Sequence, residues 1–513
     1  MKIRNIAVAA LLGASALTGC QKDWLDVNTN PNTLPTSTPD FVFTNGLTRM
    51  TTGNGNLLSN ETGEYYSGHW TQSSSYILSA TTFSYNYTNN DFNYWDGWYD
   101  VLKDFDFTEQ EAKANPSYKH LIGPAKVMKA YLFQQIADTY GDAPYSDALK
   151  GVSSLTPKFD KAQDIYKGLI KDLDSAIIAL KANAFPGSGT AADVAFGGNT
   201  TRWIQAANSL KLRILIRQSR VAGMDAYITA EINKAAAVTE GFLTSTNFGV
   251  NPGFLATAGK TNPYYDRWGY DANGAVRSLG RYPRPTKFLI DWYKSSGDSV
   301  RMKRAFYTIG GENTANPGVS TRAELNVNYA GVPFGAGSGY TAGTVSPIGP
   351  SMITKGVFNK PFILFTAAET YFLLAEAKQR YGAAVTLSAT AQEYYENGVK
   401  ASFAYVGAAA SAATALLTNG KDLTDWAASP DKLKAIWMQK WVALANISGL
   451  EAWAEYRRTG FPVTPQSLSA PAGSTDRPVR FFYPQTEVSS NEANTPKQAA
   501  NDKFSARMFW DVD

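Results

Sequence analysis

The organisation of this chain follows from the sequence SPDKLKAIWMQKWVALANISGLEAWAEYRRTGFP at residues 429–462, which we call the deciding stretch. Ser429 can cap a helix, and Pro430 fits the first helical position, where its missing N–H costs nothing. Five apolar residues then recur at three- and four-residue spacing, which places them on one helix face. They are Leu433, Ile436, Trp437, Trp441 and Leu444. After a short break, residues 450–458 form a second helix that Gly460 stops, so the stretch predicts a helix hairpin.

Three more pairs of helices are predicted earlier in the chain. They cover residues 124–141 with 160–180, residues 203–217 with 226–238, and residues 366–382 with 391–405. Asp160 with Gln163, and Thr366 with Glu369, have the spacing of N-terminal capping boxes. Four hairpins of similar size, each burying an apolar stripe against its neighbours, predict an all-α fold of tetratricopeptide-like helix hairpins.

Five stretches, in order along the chain, resemble the SusD/RagB family of surface nutrient-binding lipoproteins. They are WLDVNTNPN at 24–32, YGDAPYSDAL at 140–149, DVAFGGNTTRWIQAANSLKLRILIR at 193–217, QKWVAL with GLEAWAEYRRTGFP at 439–462, and RFFYPQTEVSSNEAN at 480–494. The resemblance covers nearly the whole mature chain. It implies a single SusD-like domain over residues 41–513, with its helical scaffold mainly in residues 100–240 and 360–462.

The composition is typical of a folded protein that does not bind nucleic acid. Hydrophobic residues make up 44% of the 513 residues, and aromatic residues make up 13%, with 28 Tyr and 12 Trp. The chain has 48 basic and 44 acidic residues, and two of the basic residues, Lys2 and Arg4, belong to a leader. Because no run of Lys or Arg forms a phosphate-binding patch, nucleic acid is excluded as the expected partner.

The leader has the pattern of a bacterial lipoprotein signal. Lys2 and Arg4 supply a positive start, and residues 6–17 form an apolar run too short to span a bilayer as an ordinary helix. The run ends in the sequence LTGC, which resembles the lipobox that directs cleavage before a lipid-modified cysteine. We therefore predict a signal peptide at residues 1–19 and a lipid anchor at Cys20. The alternative is an ordinary secretory leader with an incidental cysteine.

The residues after the anchor indicate where the lipoprotein is sent. Residues 20–40 are rich in Asn, Thr and Pro, and we interpret them as a lipid-anchored tether and lead-in. Residues 21–23, with the sequence QKD, resemble the signal by which Bacteroidetes send lipoproteins to the cell surface. Acyl chains would hold the protein on a membrane without a spanning helix. We therefore expect a bacterial outer-membrane protein that faces the cell exterior.

Two aromatic-rich regions, residues 51–90 and 241–358, lack sustained helical periodicity. Loops on a rigid scaffold are where binding residues concentrate, so these regions predict a large loop-rich ligand-binding face. The candidate ligand-binding residues are Trp70, Tyr76, Tyr85, Tyr87, Tyr264, Tyr265, Arg267 and Trp268. For each ring, packing inside the fold is the alternative. Trp95, Trp98 and Tyr99 fall on a predicted helix and are expected in the core.

The motifs of common enzyme classes are absent from the sequence. No GxSxG elbow occurs, Cys20 is consumed by lipid, and no HExxH arrangement surrounds His69 or His120. The glycine-rich residues 335–339 lack the strand–turn–helix setting of a phosphate cradle, so we interpret them as a flexible loop. We therefore predict no catalytic residue, no cofactor and no metal site.

Four glutamates at helical spacing offer the alternative of glycoside hydrolysis by a carboxylate pair. They are Glu369, Glu376, Glu451 and Glu455. The same spacing is typical of a solvated helix face or of ion pairs to Arg457 and Arg458. We assign the rings and guanidinium groups of the deciding stretch to the fold or to docking on a partner. They are Trp437, Trp441, Trp453, Arg457 and Arg458.

The resemblance implies the lid and capture subunit of a two-component importer, whose partner is a SusC-like TonB-dependent β-barrel transporter. The ligand would be an oligosaccharide, which is favoured, or an oligopeptide. Flat rings can cover the C–H face of a sugar, and polar side chains can bond its hydroxyl groups. A peptide would use the same surface, with rings around its side chains. Two other hypotheses remain, namely a surface glycosidase and a structural adaptor that never touches nutrient.

Overall fold

The computed structural model describes residues 37–186, 191–309 and 328–512. The helices are α1 (Pro39–Arg49), α2 (Leu58–Tyr66), α3 (Ala80–Phe83), α4 (Trp95–Ala114), α5 (Ile122–Tyr140), α6 (Ala162–Ala182), α7 (Thr200–Arg217), α8 (Asp225–Ala236), α9 (Pro263–Trp268), α10 (Lys287–Ser296), α11 (Ser299–Ala305), α12 (Ala367–Tyr381), α13 (Ala391–Tyr405), α14 (Ala410–Leu417), α15 (Lys432–Leu444), α16 (Gly449–Thr459), α17 (Gln485–Ser490) and α18 (Asp502–Ser505). Single 3-10 or π-helical turns lie at Gly53–Leu57, Pro116–Leu121, Gly151–Ser153, Ser278–Arg281 and Gly382–Ala384. The predicted helical fold class is confirmed.

Within the described ranges, four short strands form two separate antiparallel sheets. The strands are β1 (Trp70–Gln72), β2 (Phe248–Val250), β3 (Pro283–Pro285) and β4 (Phe362–Phe365). β1 pairs with β3, and β2 pairs with β4. Each sheet joins two segments that lie far apart in the sequence, so the sheets fix the loop regions in place without forming a layer of their own.

The four predicted hairpins are present and pack on one another. They are α5 with α6, α7 with α8, α12 with α13, and α15 with α16. Between hairpins, α6 contacts α7, and α12 contacts both α7 and α15. Each helix turns its apolar stripe toward these contacts, which gives one continuous hydrophobic core. The scaffold is therefore tetratricopeptide-like, as predicted.

The predicted start of the deciding hairpin is wrong by two residues. The side chain of Asp431 accepts a hydrogen bond from the backbone N–H of Lys434 at 3.1 Å, so Asp431 caps α15. The Ser429 hydroxyl instead donates to the backbone oxygen of Asp425 at 2.7 Å. A carboxylate next to the first turn is the better cap because it also meets the positive end of the helix dipole.

The two predicted capping boxes fared differently. The hydroxyl of Thr366 accepts the N–H of Glu369 at 3.0 Å and caps α12, but the Glu369 carboxylate binds Arg213, so only half of the predicted capping box forms. Asp160 does not cap α6, which begins two residues later. Its carboxylate accepts the backbone N–H groups of Tyr145 and Ser146 instead, at 3.0 and 2.8 Å. That prediction is wrong because a connector loop competes for the same carboxylate.

Buried ion pairs join α7, α12 and α16 inside this core. Arg213 donates two hydrogen bonds to Glu369, at 2.7 and 2.9 Å. Arg458 is fully buried and donates to both oxygens of Glu376 at 2.7 Å and to Glu455 at 2.7 and 3.0 Å. Bidentate pairs of this kind are the strong form of a charged hydrogen bond. The prediction of ion pairs is confirmed for Arg458, and the alternative of a solvated face is wrong.

The other two glutamates of the set meet several cations. Arg217 bridges Glu451 and Glu455, and the ammonium of Lys440 lies 3.1 Å from Glu451. Burial by itself would raise the pKa of Glu455, but the Arg458, Lys440 and Arg217 charges outweigh it and hold that pKa well below its usual range. These carboxylates are therefore ionised and fully engaged in holding helices together.

The neighbouring arginine, Arg457, forms no ion pair with the glutamates of this network. The Nη1 atom of Arg457 donates to the backbone oxygens of Asp138 and Val479, at 2.7 and 2.8 Å. Its guanidinium lies 3.8 Å from the centre of the Trp453 ring. Trp441 and Trp453 are both buried in the core. Of the residues assigned to the fold or to docking, Trp441, Trp453, Arg457 and Arg458 are therefore part of the fold, whereas Trp437 is half-buried.

In the part of the chain that the structure describes, no helix combines the length and the apolar character needed to cross a bilayer. The same residues contain no group of three His, Cys, Asp or Glu side chains placed to hold a metal ion. The predicted signal peptide and the predicted lipid anchor, Cys20, lie outside the described residues.

Candidate ligand-binding face

The β1–β3 sheet brings the two predicted loop regions together. Trp70 lies opposite Pro285 in its register. Just beyond the sheet, the N–H of Ser73 donates to the backbone oxygen of Tyr282 at 3.0 Å, and its hydroxyl donates to that of Arg281 at 2.6 Å. These contacts hold two segments that are far apart in the sequence next to each other.

Two tyrosines, one from each region, meet at this place. The Tyr76 hydroxyl donates to the backbone oxygen of Ser278 at 2.6 Å. The ring centres of Tyr76 and Tyr282 are 5.7 Å apart, and the rings are inclined at 55°. Both side chains are half-buried, so part of each remains accessible to solvent. The pair forms a shallow V of two aromatic faces.

A third half-buried tyrosine comes from a third loop segment. The N–H of Tyr340 donates to the Ser74 hydroxyl at 3.0 Å, and the N–H of Ser74 donates to the backbone oxygen of Tyr340 at 2.8 Å. The Tyr340 side chain packs on a small separate core of Val332, Ala336 and Val345. This reciprocal pairing fixes Tyr340 next to the segment that carries Tyr76.

Exposed apolar side chains flank these rings. Ile77 is 97% exposed and Leu279 is 41% exposed. A large apolar side chain left almost wholly in water is a feature that points to a contact surface when rings lie beside it. We refer to Tyr76, Ile77, Leu279, Tyr282 and Tyr340 as the tyrosine face.

One buried arginine ties the segments of the tyrosine face together. Arg284 is 3% exposed and donates to the backbone oxygens of Gly280, Pro283 and Ala342, at 3.0, 2.7 and 3.3 Å. Within the described ranges, no carboxylate forms an ion pair with it. Burial accordingly lowers the pKa of Arg284 to about 10. A cation held by carbonyl oxygens alone acts here as a clamp between two loops.

A polar cleft with a volume of about 540 Å³ adjoins the face at Leu279. Its walls include Asp266, Arg267 and Arg277. Arg267 donates to one carboxylate oxygen of Glu61 at 3.0 and 2.9 Å and keeps 31% of its side chain exposed. Arg277 forms an ion pair with Asp266. The cleft therefore offers guanidinium and carboxylate groups next to the aromatic rings.

The expected exposure of three rings in the first loop region is wrong. The Trp70 indole N–H donates to the side-chain oxygen of Asn446 at 2.6 Å, inside the turn of the deciding hairpin. The Tyr85 hydroxyl donates to Gln466 at 2.8 Å, and the Tyr87 hydroxyl donates to a backbone oxygen at 2.6 Å. All three side chains are buried. Burial is possible because each polar tip finds a partner inside the protein.

The expected exposure is also wrong for three rings of the second loop region. The Tyr264 ring lies parallel to Phe362, with 4.8 Å between centres, and stacks on Trp268 at 5.3 Å. The hydroxyl of Tyr265 accepts the N–H of Gly356 at 3.2 Å. Burial raises the pKa of Tyr264 well above its usual range. These side chains are buried and form the base on which the loops pack.

Of the eight predicted residues, Tyr76 and Arg267 remain accessible, and the structure brings them to adjoining parts of one surface. Sequence reasoning did not select Tyr282, although it lies in the predicted loop region. Tyr340 had no distinguishing signal, because it follows glycine-rich residues interpreted as a flexible loop. In the structure that loop is fastened at its start, where the N–H of Gly335 donates to the Thr71 hydroxyl at 3.1 Å.

The sequence matches the model of a family named SusD-like_2, described as starch-binding associating with outer membrane, over residues 31–484. A SusD homologue from Bacteroides fragilis NCTC 9343 has 24% identity and a TM-score of 0.73, and the match covers 93% of this chain and 99% of that one. A SusD homologue from Bacteroides vulgatus ATCC 8482 has 24% identity and a TM-score of 0.71, and the match covers 92% of this chain and 97% of that one. A chitin-binding SusD homologue from Flavobacterium johnsoniae has 22% identity and a TM-score of 0.70, and the match covers 92% of this chain and 99% of that one. At these identities the structural likeness establishes the fold. None of the curated proteins matches the chain.

Proposed function

The chain belongs to the SusD-like_2 family, whose description is starch-binding associating with outer membrane, and we propose that it captures an oligosaccharide on its tyrosine face. The observation that carries this proposal is the meeting of Tyr76, Tyr282 and Tyr340 from three loop segments. The C–H face of a pyranose stacks on such rings, and two χ angles per ring keep the loss of side-chain entropy small. The half-buried state of the rings holds them ready for contact.

The cleft beside the face supplies the second half of sugar recognition. Hydroxyl groups on the rim of a sugar need donors and acceptors, which the guanidinium groups of Arg267 and Arg277 and the carboxylate of Asp266 provide. In a carbohydrate site, aromatic rings usually contact the apolar side of the sugar, and polar groups bond the hydroxyl groups on its rim. A ligand that spans both regions would have to be an oligomer.

An oligopeptide is the alternative ligand for the same surface. Its side chains could pack on the tyrosine rings, and its backbone could bond the cleft groups. The family description favours the glycan. The two cases are separated only by binding measurements, so peptides belong in the same panel as glycans.

Capture without hydrolysis is the form of this proposal. Near the face, the Glu61 carboxylate is buried against Arg267, and Asp266 is paired with Arg277. A glycosidase needs one free acid and one free base on either side of the scissile bond. Incubation with the bound glycan should therefore release no reducing ends over time, and their steady appearance would establish the rival hypothesis of a glycosidase.

Calorimetric titration with starch and chitin oligosaccharides and with a tripeptide panel tests the proposal. We expect one glycan series to bind the protein, and Tyr76→Ala or Tyr282→Ala to weaken that binding about tenfold, which is about 1.4 kcal/mol. Tyr118→Ala is the matched control, because Tyr118 is also half-buried but lies in a helical turn of the scaffold. Binding by peptides alone, or equal loss in the control, would end the glycan proposal.

We also propose that a lipid on Cys20 holds the protein on the exterior of the outer membrane. The support is the lipobox-like LTGC sequence and the outer-membrane association in the family description. Cys20→Ser should abolish incorporation of labelled palmitate and release the protein from membranes. Protease added to intact cells should cleave the anchored form, and complete protection from it would contradict the outward orientation.

The last part of the proposal is the role of a lid on a SusC-like TonB-dependent transporter. In this role the protein traps the oligomer near the mouth of the barrel, and closure passes it inward. The support is the SusD/RagB-like signature across the chain. Co-purification from detergent-solubilised outer membranes tests it: a β-barrel transporter should accompany the protein. A protein that binds glycan but isolates alone would keep the capture role and remove the lid role.

A further inference from the structure

A second cavity, larger than the cleft, lies beside the β2–β4 sheet. Its volume is about 670 Å³, which is within the range of small-molecule sites. Its walls come from Gly249 of β2, Ile363 of β4, Arg304 of α11 and Tyr405 at the end of α13, with Lys360 just before β4. It shares no lining residue with the tyrosine face.

The charge on the walls of this cavity is one-sided. Among the described residues that line it, Arg304 and Lys360 are basic and none is acidic. The Lys360 ammonium donates to the backbone oxygens of Pro350 and Ser351, at 2.6 and 3.0 Å. In the described part of the chain, no carboxylate lies within ion-pair distance of it. Two of its three N–H donors are therefore used by carbonyl oxygens, and one donor remains for another partner.

The cavity wall also includes a hydroxyl and apolar surface. Across the described ranges, the Tyr405 hydroxyl has no hydrogen-bond partner. Val357, Pro361 and Ile363 form an aliphatic part of the wall. A ligand with one charged end and a compact body would suit this wall, because its body would cover the aliphatic part.

We propose that this cavity binds the carboxylate of a small organic acid, with the Lys360 ammonium as its counter-ion and the Tyr405 hydroxyl as a second donor. An uncompensated, half-buried cation is a costly feature unless it meets a negative partner. A carboxylate has two oxygens and can accept from both donors. A uronic acid and a small N-acylated amino acid share this chemistry. The inference is independent of the tyrosine face.

Binding of galacturonic acid, galactose and N-acetylglycine to the full-length protein tests the proposal. The first two probes have the same ring and differ at the carboxylate, and the third carries a carboxylate without a sugar. We expect galacturonic acid to bind at least fivefold more tightly than galactose. If N-acetylglycine binds as tightly as galacturonic acid, the carboxylate alone is recognised. If it binds more weakly but still above galactose, the sugar body adds to recognition. Equal binding of the two sugars would overturn the proposal.

Substitution of the lysine assigns the preference to this cavity. Lys360→Met removes the ammonium but keeps the length of the side chain, and it should abolish the preference for the acid. Lys355→Met is the matched control: Lys355 is exposed, five residues earlier in the same segment, and does not line the cavity. A preference that survives Lys360→Met, or that disappears equally in Lys355→Met, would contradict the assignment.

A measurement on the wild-type protein covers the case in which Lys360→Met does not fold. Burial lowers the pKa of Lys360 to about 8. The ammonium is thus lost as the pH rises through this value, whereas burial raises the pKa of Tyr405 to about 12, so that hydroxyl stays neutral. Arg304 is the other basic group on the wall. The preference for galacturonic acid should therefore fall severalfold between pH 7 and pH 9, and a constant preference would count against Lys360.

Discussion

The helical scaffold and the tyrosine face both bury an arginine, but they surround it differently. In the scaffold, Arg458 is wrapped by the carboxylates of Glu376 and Glu455. Under the tyrosine face, the hydrogen bonds that Arg284 makes to described residues all go to backbone carbonyl oxygens of two loops. Removal of the first arginine would leave two buried negative charges, whereas removal of the second would leave neutral groups. We therefore expect the first to govern stability and the second to govern the arrangement of the loops.

Arg458→Met should reduce stability strongly. Glu376 and Glu455 would remain buried with one cation fewer, and breaking a buried pair in this way costs about 3–5 kcal/mol. Chemical denaturation of the wild type and the variant measures this cost. The control is Arg49→Met, which breaks a partly exposed pair with Asp104 and should cost no more than about 1 kcal/mol. Equal losses would show that burial does not distinguish the two pairs.

A second prediction concerns a glutamate of the scaffold in acid. Burial alone would raise the pKa of Glu109, but the Lys129, Lys113 and Lys126 charges lower it to about 2. Its ionised form therefore stabilises the fold above the usual value of 4.5, and this stability is lost as the pH falls from 4.5 toward 2.

We expect the wild type to lose about 1–3 kcal/mol more than Glu109→Gln across that interval, allowing for partial contact with solvent. Denaturation at a series of pH values measures the difference between the two proteins. Glu111→Gln removes an exposed carboxylate from the same helix and serves as the control. Parallel curves for the wild type and Glu109→Gln would mean that the lysine cluster does not hold this carboxylate.

The third prediction concerns Arg284, the other side of the comparison. Arg284→Met should change the free energy of unfolding by less than about 2 kcal/mol, because loss of an unpaired buried charge offsets part of the lost hydrogen bonding. It should weaken glycan binding by about threefold to tenfold, because Ala342 and its neighbours are no longer clamped. Calorimetry and hydrogen exchange of residues 335–344 measure the two effects. Unchanged exchange together with unchanged affinity would show that the clamp is not needed.

The scaffold could be predicted from the sequence, and the tyrosine face could not. Spacing of apolar residues is a local property, and it located both helices of the deciding hairpin to within a few residues. The burial of Trp70 depends on Asn446, which is distant in the sequence and occupies the turn of that hairpin. No local pattern reports such a partner, so a ring in a polar loop was expected at the surface.

The same limit applies to residues that sequence reasoning missed. Tyr282 reaches the face because β3 pairs with β1, and these strands have three residues each. Strands this short have no detectable alternation. Tyr340 depends on two hydrogen bonds with Ser74, made after a glycine-rich segment. The existence of an aromatic loop region could be predicted from the sequence. Which of its rings reach the surface depends on pairing between distant segments, which the sequence pattern does not show.

Ile77→Ser should weaken ligand binding at the tyrosine face without changing the stability of the scaffold. Ile77 is almost wholly exposed, so Ile77→Ser should change the free energy of unfolding by no more than about 0.5 kcal/mol. If a ligand covers this side chain, the variant should bind about twofold to fourfold more weakly, through lost apolar contact. Ile178→Ser, at an exposed position on α6, is the matched control and should change neither quantity much. Because stability is unaffected in both variants, a selective loss of affinity in Ile77→Ser can come only from contact at the tyrosine face. Identical affinities would place the ligand elsewhere.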